Sequence, residues 1–126
     1  MSRTSIVKSI RPEIGSVNRS VQTTENEYFQ NDVLRPILKF QNDIIRCIFI
    51  KNLKKQSIDF AKMNHQGRLD FVTQQIQKDL GLRNVLIGLV LGLMSEEEIV
   101  QYYTYETEYR RRITKMTIDR IADQLV

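Results

Sequence analysis

The strongest constraint on the fold is a direct repeat over residues 29–50. The segment FQNDVLRPILK is followed at once by FQNDIIRCIFI, so the chain contains an eleven-residue unit written twice. Eleven residues advance an α-helix by about three turns plus 20°, which places equivalent side chains on nearly the same face. The repeat therefore predicts a helix in which both copies present the same side chains to the same neighbour.

The apolar residues of the repeat have helical spacing. They recur at intervals of three and four residues at Phe29, Val33, Ile37, Phe40, Ile44 and Ile48. Such a stripe is typical of a helix that packs one face against a core. Pro36 lies within it, and a proline removes a backbone donor and clashes with the preceding turn. Because the spacing continues across Pro36, we expect one long helix over residues 25–55, kinked near Asp32; a break at Pro36 is the alternative.

The segments after the long helix also have helical rather than strand periodicity. Leu69, Val72 and Ile76 predict a second helix, which begins after Asn64 as its N-cap. Gly81 is expected to end that helix in the left-handed conformation that glycine adopts most easily.

Two more helices complete the pattern. Residues 82–94 form an apolar run that is too short to span a bilayer, which predicts a buried helix. Ser95 and Glu98 then form a capping box that opens a last helix running to about residue 124. The apolar spacing weakens near Thr104, which allows a turn there. Together, these segments predict an all-α bundle of four main helices with a long, Pro-kinked first helix.

The distribution of charge predicts two parts. The chain has a net charge of +4, and residues 1–24 contain four basic side chains against one acidic side chain. We therefore predict a flexible basic N-terminal arm at residues 1–24 and a helical bundle domain at residues 25–126. The nearly neutral bundle argues against a nucleic-acid-binding domain, which needs a concentrated basic face. The arm alone is left as a candidate contact with nucleic acid.

The sequence contains no catalytic or metal-binding motif. Cys47 is the only cysteine and is expected to be buried among apolar neighbours, which fits a reducing cytoplasm. His65 is the only histidine and is expected at the surface, since no paired carboxylates accompany it at ligand spacing. We therefore predict no catalytic residue, no cofactor, no metal and a cytoplasmic location.

The candidate functional residues are instead those of an interface. On the long helix, four apolar residues are expected to act as anchors, and the repeated Asn and Arg positions would line a polar groove beside them. Gly88 and Gly92 share a face of the buried helix, which favours close approach of another helix from the same chain or from a second subunit. The candidates are Phe29, Asn31, Arg35, Phe40, Asn42, Ile44, Arg46, Phe49, Gly88 and Gly92.

The last helix mixes tyrosines with three consecutive arginines. Aromatic and basic mixtures occur in proteins that bind single-stranded nucleic acid. The three arginines fan around the helix, however, and Glu108 and Arg112 have the spacing of an ion pair, as do Lys115 and Asp119. The mixture is therefore interpreted as core tyrosines beside intrahelical ion pairs.

Three segments carry a resemblance to a known group. ENEYFQNDVLRPILKFQNDII, LDFVTQQIQKDLGLRNVLIGLVLG and SEEEIVQYY resemble a group of small bacterial all-helical proteins that are often labelled "glyoxalase", over about residues 25–125. The resemblance implies a helical fold and a cytoplasmic location. Glyoxalases of the vicinal-oxygen-chelate type hold a metal with His and Glu side chains from paired βαβββ modules. This chain has one histidine and no strand pattern, so no catalytic residue is carried over.

These observations predict a non-enzymatic cytoplasmic interaction protein that self-associates through its long first helix. Its partner would be a second copy or another helical protein, with no membrane span. Two alternatives remain. One is an enzymatic or small-ligand-binding domain with a pocket near Gly88 and Gly92; the other is a nucleic-acid-associated regulator that uses the basic arm.

Overall fold

The structure is a computed structural model that describes residues 2–11, 24–53 and 58–125. Its regular elements are all helical, and these ranges contain no β-strand. In chain order they are α1 (Arg3–Ile10), α2 (Glu25–Phe29), a π-helical segment (Gln30–Leu34), α3 (Arg35–Asn52), a 3₁₀ turn (Phe60–Lys62), α4 (His65–Lys78), α5 (Leu80–Leu91), α6 (Glu96–Thr104) and α7 (Glu106–Gln124). The all-α prediction is confirmed.

The repeat lies in one uninterrupted helical run. The segments α2, π and α3 follow one another without a gap from Glu25 to Asn52, a length of about 40 Å by helix rise. The run begins at Thr24, whose hydroxyl accepts a hydrogen bond from the backbone N–H of Glu27 at 3.1 Å. The helix therefore continues through Pro36, and the alternative of a break there is wrong.

The π-helical segment changes which side of the helix faces the core. The backbone N–H of Arg35 bonds to the carbonyl of Gln30, five residues earlier, immediately before Pro36. A π turn holds an extra residue, so the residues after it are rotated by about 100°, one residue's share of a turn. Phe29 is accordingly 4% exposed, whereas its repeat equivalent Phe40 is 49% exposed. The prediction that both repeat copies present one face is wrong for Phe40 and Ile44, whereas Ile45 and Phe49 are buried as their repeat equivalents Leu34 and Leu38 are.

The core lies between the long helical run and α7. In the run, the side chains of Leu34, Ile37, Leu38 and Phe49 are fully buried. The helix α7 packs against α3, α4 and α5, and α5 also packs against α3 and α4. Tyr109, Ile113 and Ile121 of α7 are fully buried. The amphipathic stripes of separate helices thus close one apolar core, in which burial of apolar surface is the main stabilising term.

The loops confirm some sequence-based boundaries and correct one. Ser95 and Glu98 form the expected reciprocal capping box at the start of α6, and the turn near Thr104 is present between α6 and α7. Gly81, however, lies in the first turn of α5, after the N-cap Asp79. No glycine in the described residues has a positive φ, so the prediction that Gly81 ends the preceding helix is wrong. Asp79 directs the chain into α5 by accepting a hydrogen bond from the N–H of Leu82 at 2.9 Å.

Part of the predicted N-terminal arm is folded onto the bundle. The helix α1 buries Val7, and Arg3 donates a hydrogen bond to the carbonyl of Gly92 at 2.8 Å. Arg11 forms a two-point ion pair with Glu98, with N–O distances of 2.6 and 3.0 Å. This part of the arm is therefore an ordered helix in contact with the bundle, which differs from the predicted flexible arm. Residues 12–23 of the predicted arm lie outside the described residues.

Across the described ranges, no helix is both long enough and apolar enough to cross a bilayer.

Candidate interaction surface

The outward side of α3 exposes two large apolar side chains. Phe40 and Ile44 are four residues apart and therefore lie on one side of the helix, each about half exposed. Cys47, three residues further on, is also exposed. The prediction that Cys47 is buried is wrong, because the rotation at the π segment turns this side of α3 away from the core. The result is an apolar strip on α3 that faces outward.

A second strip runs beside it on α5. The side-chain amide of Gln41 donates to the carbonyl of Leu89 at 3.0 Å, which fixes α3 against α5 at this point. Val85, one turn before Leu89, is 50% exposed, and Gly88 is exposed. Phe40 and Ile44 lie within one turn of Gln41 on α3, and Val85 and Gly88 lie within about one turn of Leu89 on α5, so this hydrogen bond places the two strips side by side. We call the surface formed by Phe40, Ile44, Val85 and Gly88 the α3–α5 face.

Gly88 leaves open space in that face. A Cβ atom added at Gly88 would meet nothing within 4 Å, and one added at Gly92 would lie 3.3 Å from the carbonyl oxygen of Gly88 in its own helix. Within the described residues, no atom of another helix lies within 4 Å of that Cβ position at Gly88. The prediction that a helix of the same chain packs closely here is therefore wrong, and approach of a second subunit stays a prediction.

The remaining candidates divide between the core and a polar groove. Phe29 and Phe49 are buried within the chain, so they are corrected from interface anchors to core residues. Phe29 stacks on Tyr109 with ring centroids 4.3 Å apart. Asn31 is half-buried, and Arg46 is exposed and lies 3.8 Å from Asp43.

The polar groove lies between α3 and α7. Arg35 and Asn42 line it together with Arg120 and Gln124. Asn42 and Gln124 exchange two amide hydrogen bonds, at 2.7 and 2.8 Å. Burial and then the charge of Arg35 lower the pKa of Arg120. Of the predicted groove residues, only Arg35 and Asn42 line this groove, and the amide of Asn42 is occupied in fixing α3 to α7 within one chain.

Several tyrosines and arginines of the last two helices lie as the sequence predicts, in the core or in ion pairs within one helix. Tyr102 and Tyr109 are fully buried, and burial raises the pKa of both phenols. Arg111 and Arg112 each donate to Glu108 at 2.7 Å. These two hydrogen bonds, from Arg111 first, lower the pKa of Glu108 to about 2. The expected pair of Lys115 and Asp119 is present at 3.2 Å.

His65 and the acidic residues do not form a cluster suited to a metal. His65 is exposed, with its Nδ1 atom 3.6 Å from a carboxylate oxygen of Asp123, as expected for a surface residue. In the part of the chain that the structure describes, no three His, Cys, Asp or Glu side chains converge on a common point.

One feature escaped the sequence-based predictions: a cleft between α4, α5 and α7. Its lining includes Leu69, Arg83, Ile87, Arg110 and Ile118, and we call it the α4–α7 cleft. The sequence contained a signal for it, because Arg83 and Asn84 interrupt the apolar run of α5. These two polar residues could not by themselves predict the cleft, because the residues that face them lie on other helices.

Comparison of the chain with protein-family models, with curated proteins and with solved structures finds no match.

Proposed function

We propose that this protein is a non-enzymatic helical interaction protein of the cytoplasm. It self-associates through the α3–α5 face, which its long, Pro-kinked first helix forms together with α5. The observation that carries the proposal is the exposure of Phe40 and Ile44 on one side of α3. Their repeat equivalents, Phe29 and Val33, are buried against the chain's own core. The second copy of the repeat thus offers to a partner the side chains that the first copy uses internally.

The neighbouring strip on α5 favours a helix as the occupant. With no side chain at Gly88 and open space above it, a helix backbone from outside can approach closely. Phe40, Ile44 and Val85 border this space, and burying each of them fully would contribute about 1.5–3 kcal/mol. Close backbone approach flanked by large apolar side chains is an efficient way to bury area in a helix–helix interface.

A second copy of the chain is the proposed occupant of this face. In a two-fold dimer each face meets the same face of the other copy, so the exposed apolar strip of one subunit is covered by its equivalent. A stable dimer buries roughly 800 Å² per subunit, which requires both strips of the face.

The test is the mass of the chain in solution, measured by light scattering on a sizing column. Wild type is expected to elute as a dimer, and Phe40→Asp as a monomer with unchanged helicity by circular dichroism. A charge placed in a buried interface without a partner is strongly unfavourable.

The matched control is Val100→Asp on α6. Val100 is 68% exposed and lies outside the α3–α5 face, so this variant is expected to remain dimeric. A monomeric wild type, or a Phe40→Asp protein that stays dimeric, would refute the proposal.

A further inference from the structure

The α4–α7 cleft combines an apolar floor with a cationic rim. It has a volume of about 490 Å³, within the range of small-molecule sites in proteins. Leu69, Ile87 and Ile118 supply its apolar lining. Ile87 and Ile118 are themselves buried side chains of the core, so the floor is held in place by the packing of the bundle.

The rim carries four basic side chains and one acidic side chain, and two of the basic side chains have no carboxylate partner in the described part of the chain. Lys115 is paired with Asp119 of the same cleft, and Arg111 is paired with Glu108. Arg110 donates to the neutral amide oxygen of Asn84 at 2.8 Å.

Arg83 completes the rim and has no side-chain hydrogen bond or ion pair among the described residues. Arg83 and Arg110 are both half-buried, and a guanidinium group in that setting normally has an anionic partner. Two half-buried guanidinium groups with no carboxylate partner among the described residues therefore line the same cleft.

We propose that the α4–α7 cleft binds a small amphiphilic anion: a carboxylate or sulfonate group attached to an apolar chain or ring. The anionic group would lie between Arg83 and Arg110, whose planar, forked donors match its paired oxygens. The apolar body would cover Ile87 and Leu69, where it leaves water. The site is separate from the α3–α5 face and does not depend on self-association.

The test uses two dyes that differ in charge and are titrated into the full chain by fluorescence. Anilinonaphthalene sulfonate has an apolar ring system with one sulfonate; phenylnaphthylamine has the same rings without it. Saturable binding of the sulfonate dye is expected, with displacement by decanoate and not by decanol. Binding of both dyes with equal affinity would overturn the proposal, because it would show that the cationic rim is not used.

Variants assign the binding to the cleft. Arg83→Gln is expected to weaken binding of the sulfonate dye about tenfold, the value of one lost hydrogen bond to a charged group. Arg83→Lys, which keeps the charge without the fork, is expected to lose less. Because Arg83 makes no side-chain hydrogen bond among the described residues, its replacement removes no described contact, and circular dichroism checks the fold.

Two control variants exclude binding elsewhere. Arg46→Gln removes an exposed arginine of α3, and Phe40→Asp alters the α3–α5 face; neither is expected to change the affinity for the sulfonate dye. If Arg83→Gln binds as wild type does, or if Phe40→Asp abolishes binding, the dye occupies another surface and the proposal fails. Displacement by an acidic peptide and not by decanoate would likewise overturn it in favour of a protein ligand.

Discussion

At the scale of single residues, Tyr109 contacts several separate parts of the fold. Its ring stacks on Phe29 and lies edge-on to Tyr105, with centroids 4.3 and 5.9 Å away. Its hydroxyl donates to the Asn26 side-chain oxygen at 2.8 Å and accepts from Gln101 at 3.0 Å. One side chain thus ties the start of the long helical run to α6 and α7.

We expect Tyr109→Phe to lower the free energy of unfolding by about 1–2 kcal/mol, because Asn26 and Gln101 lose a shared partner while the ring contacts persist. Urea denaturation followed by circular dichroism measures this. Tyr103→Phe is the control, because Tyr103 is 59% exposed, and its stability should match wild type. Equal stability of the two variants would show that the buried hydroxyl contributes nothing.

At the scale of elements, the π segment decides the orientation of everything that follows it in the long run. Without it, Phe40 and Ile44 would face the core as Phe29 and Val33 do, and the α3–α5 face would not exist. Pro36 explains why the π segment lies immediately before it. A proline cannot donate a hydrogen bond to the carbonyl four residues earlier, and its ring crowds the preceding turn. The π segment that accommodates Pro36 thus also exposes Phe40 and Ile44.

The helix α5 provides a test of the space at Gly88. In a Phe40→Asp background, Gly88→Ala is expected to raise the free energy of unfolding by about 1 kcal/mol, since alanine favours the helix and its Cβ meets no atom. Thermal denaturation measures the change. Gly92→Ala is expected to gain less, because its Cβ would lie 3.3 Å from the carbonyl oxygen of Gly88. In the wild-type background, Gly88→Ala should weaken the dimer; a dimer of unchanged affinity would show that no helix approaches there.

At the scale of the whole molecule, the ion pair between Arg11 and Glu98 joins α1 to the bundle. Burial by itself raises the pKa of Glu98, but hydrogen bonds from Arg11 and from Ser95 outweigh it and hold that pKa below its usual value of 4.5. A carboxyl whose folded pKa is depressed contributes stability above its unfolded pKa. That contribution is lost as the pH falls through the folded pKa. The docking of α1 is therefore expected to weaken below about pH 4.5.

The measurement is the stability difference between wild type and Arg11→Gln as a function of pH. Near neutral pH the variant is expected to be less stable by about 1–3 kcal/mol, because it leaves a largely buried carboxylate without its cation. The two stability curves should converge as the pH falls through the lowered pKa of Glu98, because the carboxyl is then protonated in both proteins. Lys8→Gln on the exposed side of α1 is the control. A difference that does not change with pH would show that the ion pair is not its source.

The sequence by itself determined the all-helical class and where several of the helices begin. Helical spacing, the N-cap Asn64 and the capping box of Ser95 are local features, since each depends on residues three or four apart in the chain. Local rules of this kind need no knowledge of the other helices. The intrahelical ion pairs of α7 and the turn near Thr104 follow for the same reason.

Only the tertiary structure decided which sides of the helices face inward and which residues meet. The repeat predicted that equivalent side chains in both copies face the same way. The extra residue of the π segment turns Phe40, Ile44 and Cys47 away from the core instead. The docking of Arg11 on Glu98 joins residues 87 positions apart, and the α4–α7 cleft joins side chains from three helices. Contacts of this kind depend on how helices pack in three dimensions, and periodicity along one helix carries no information about them.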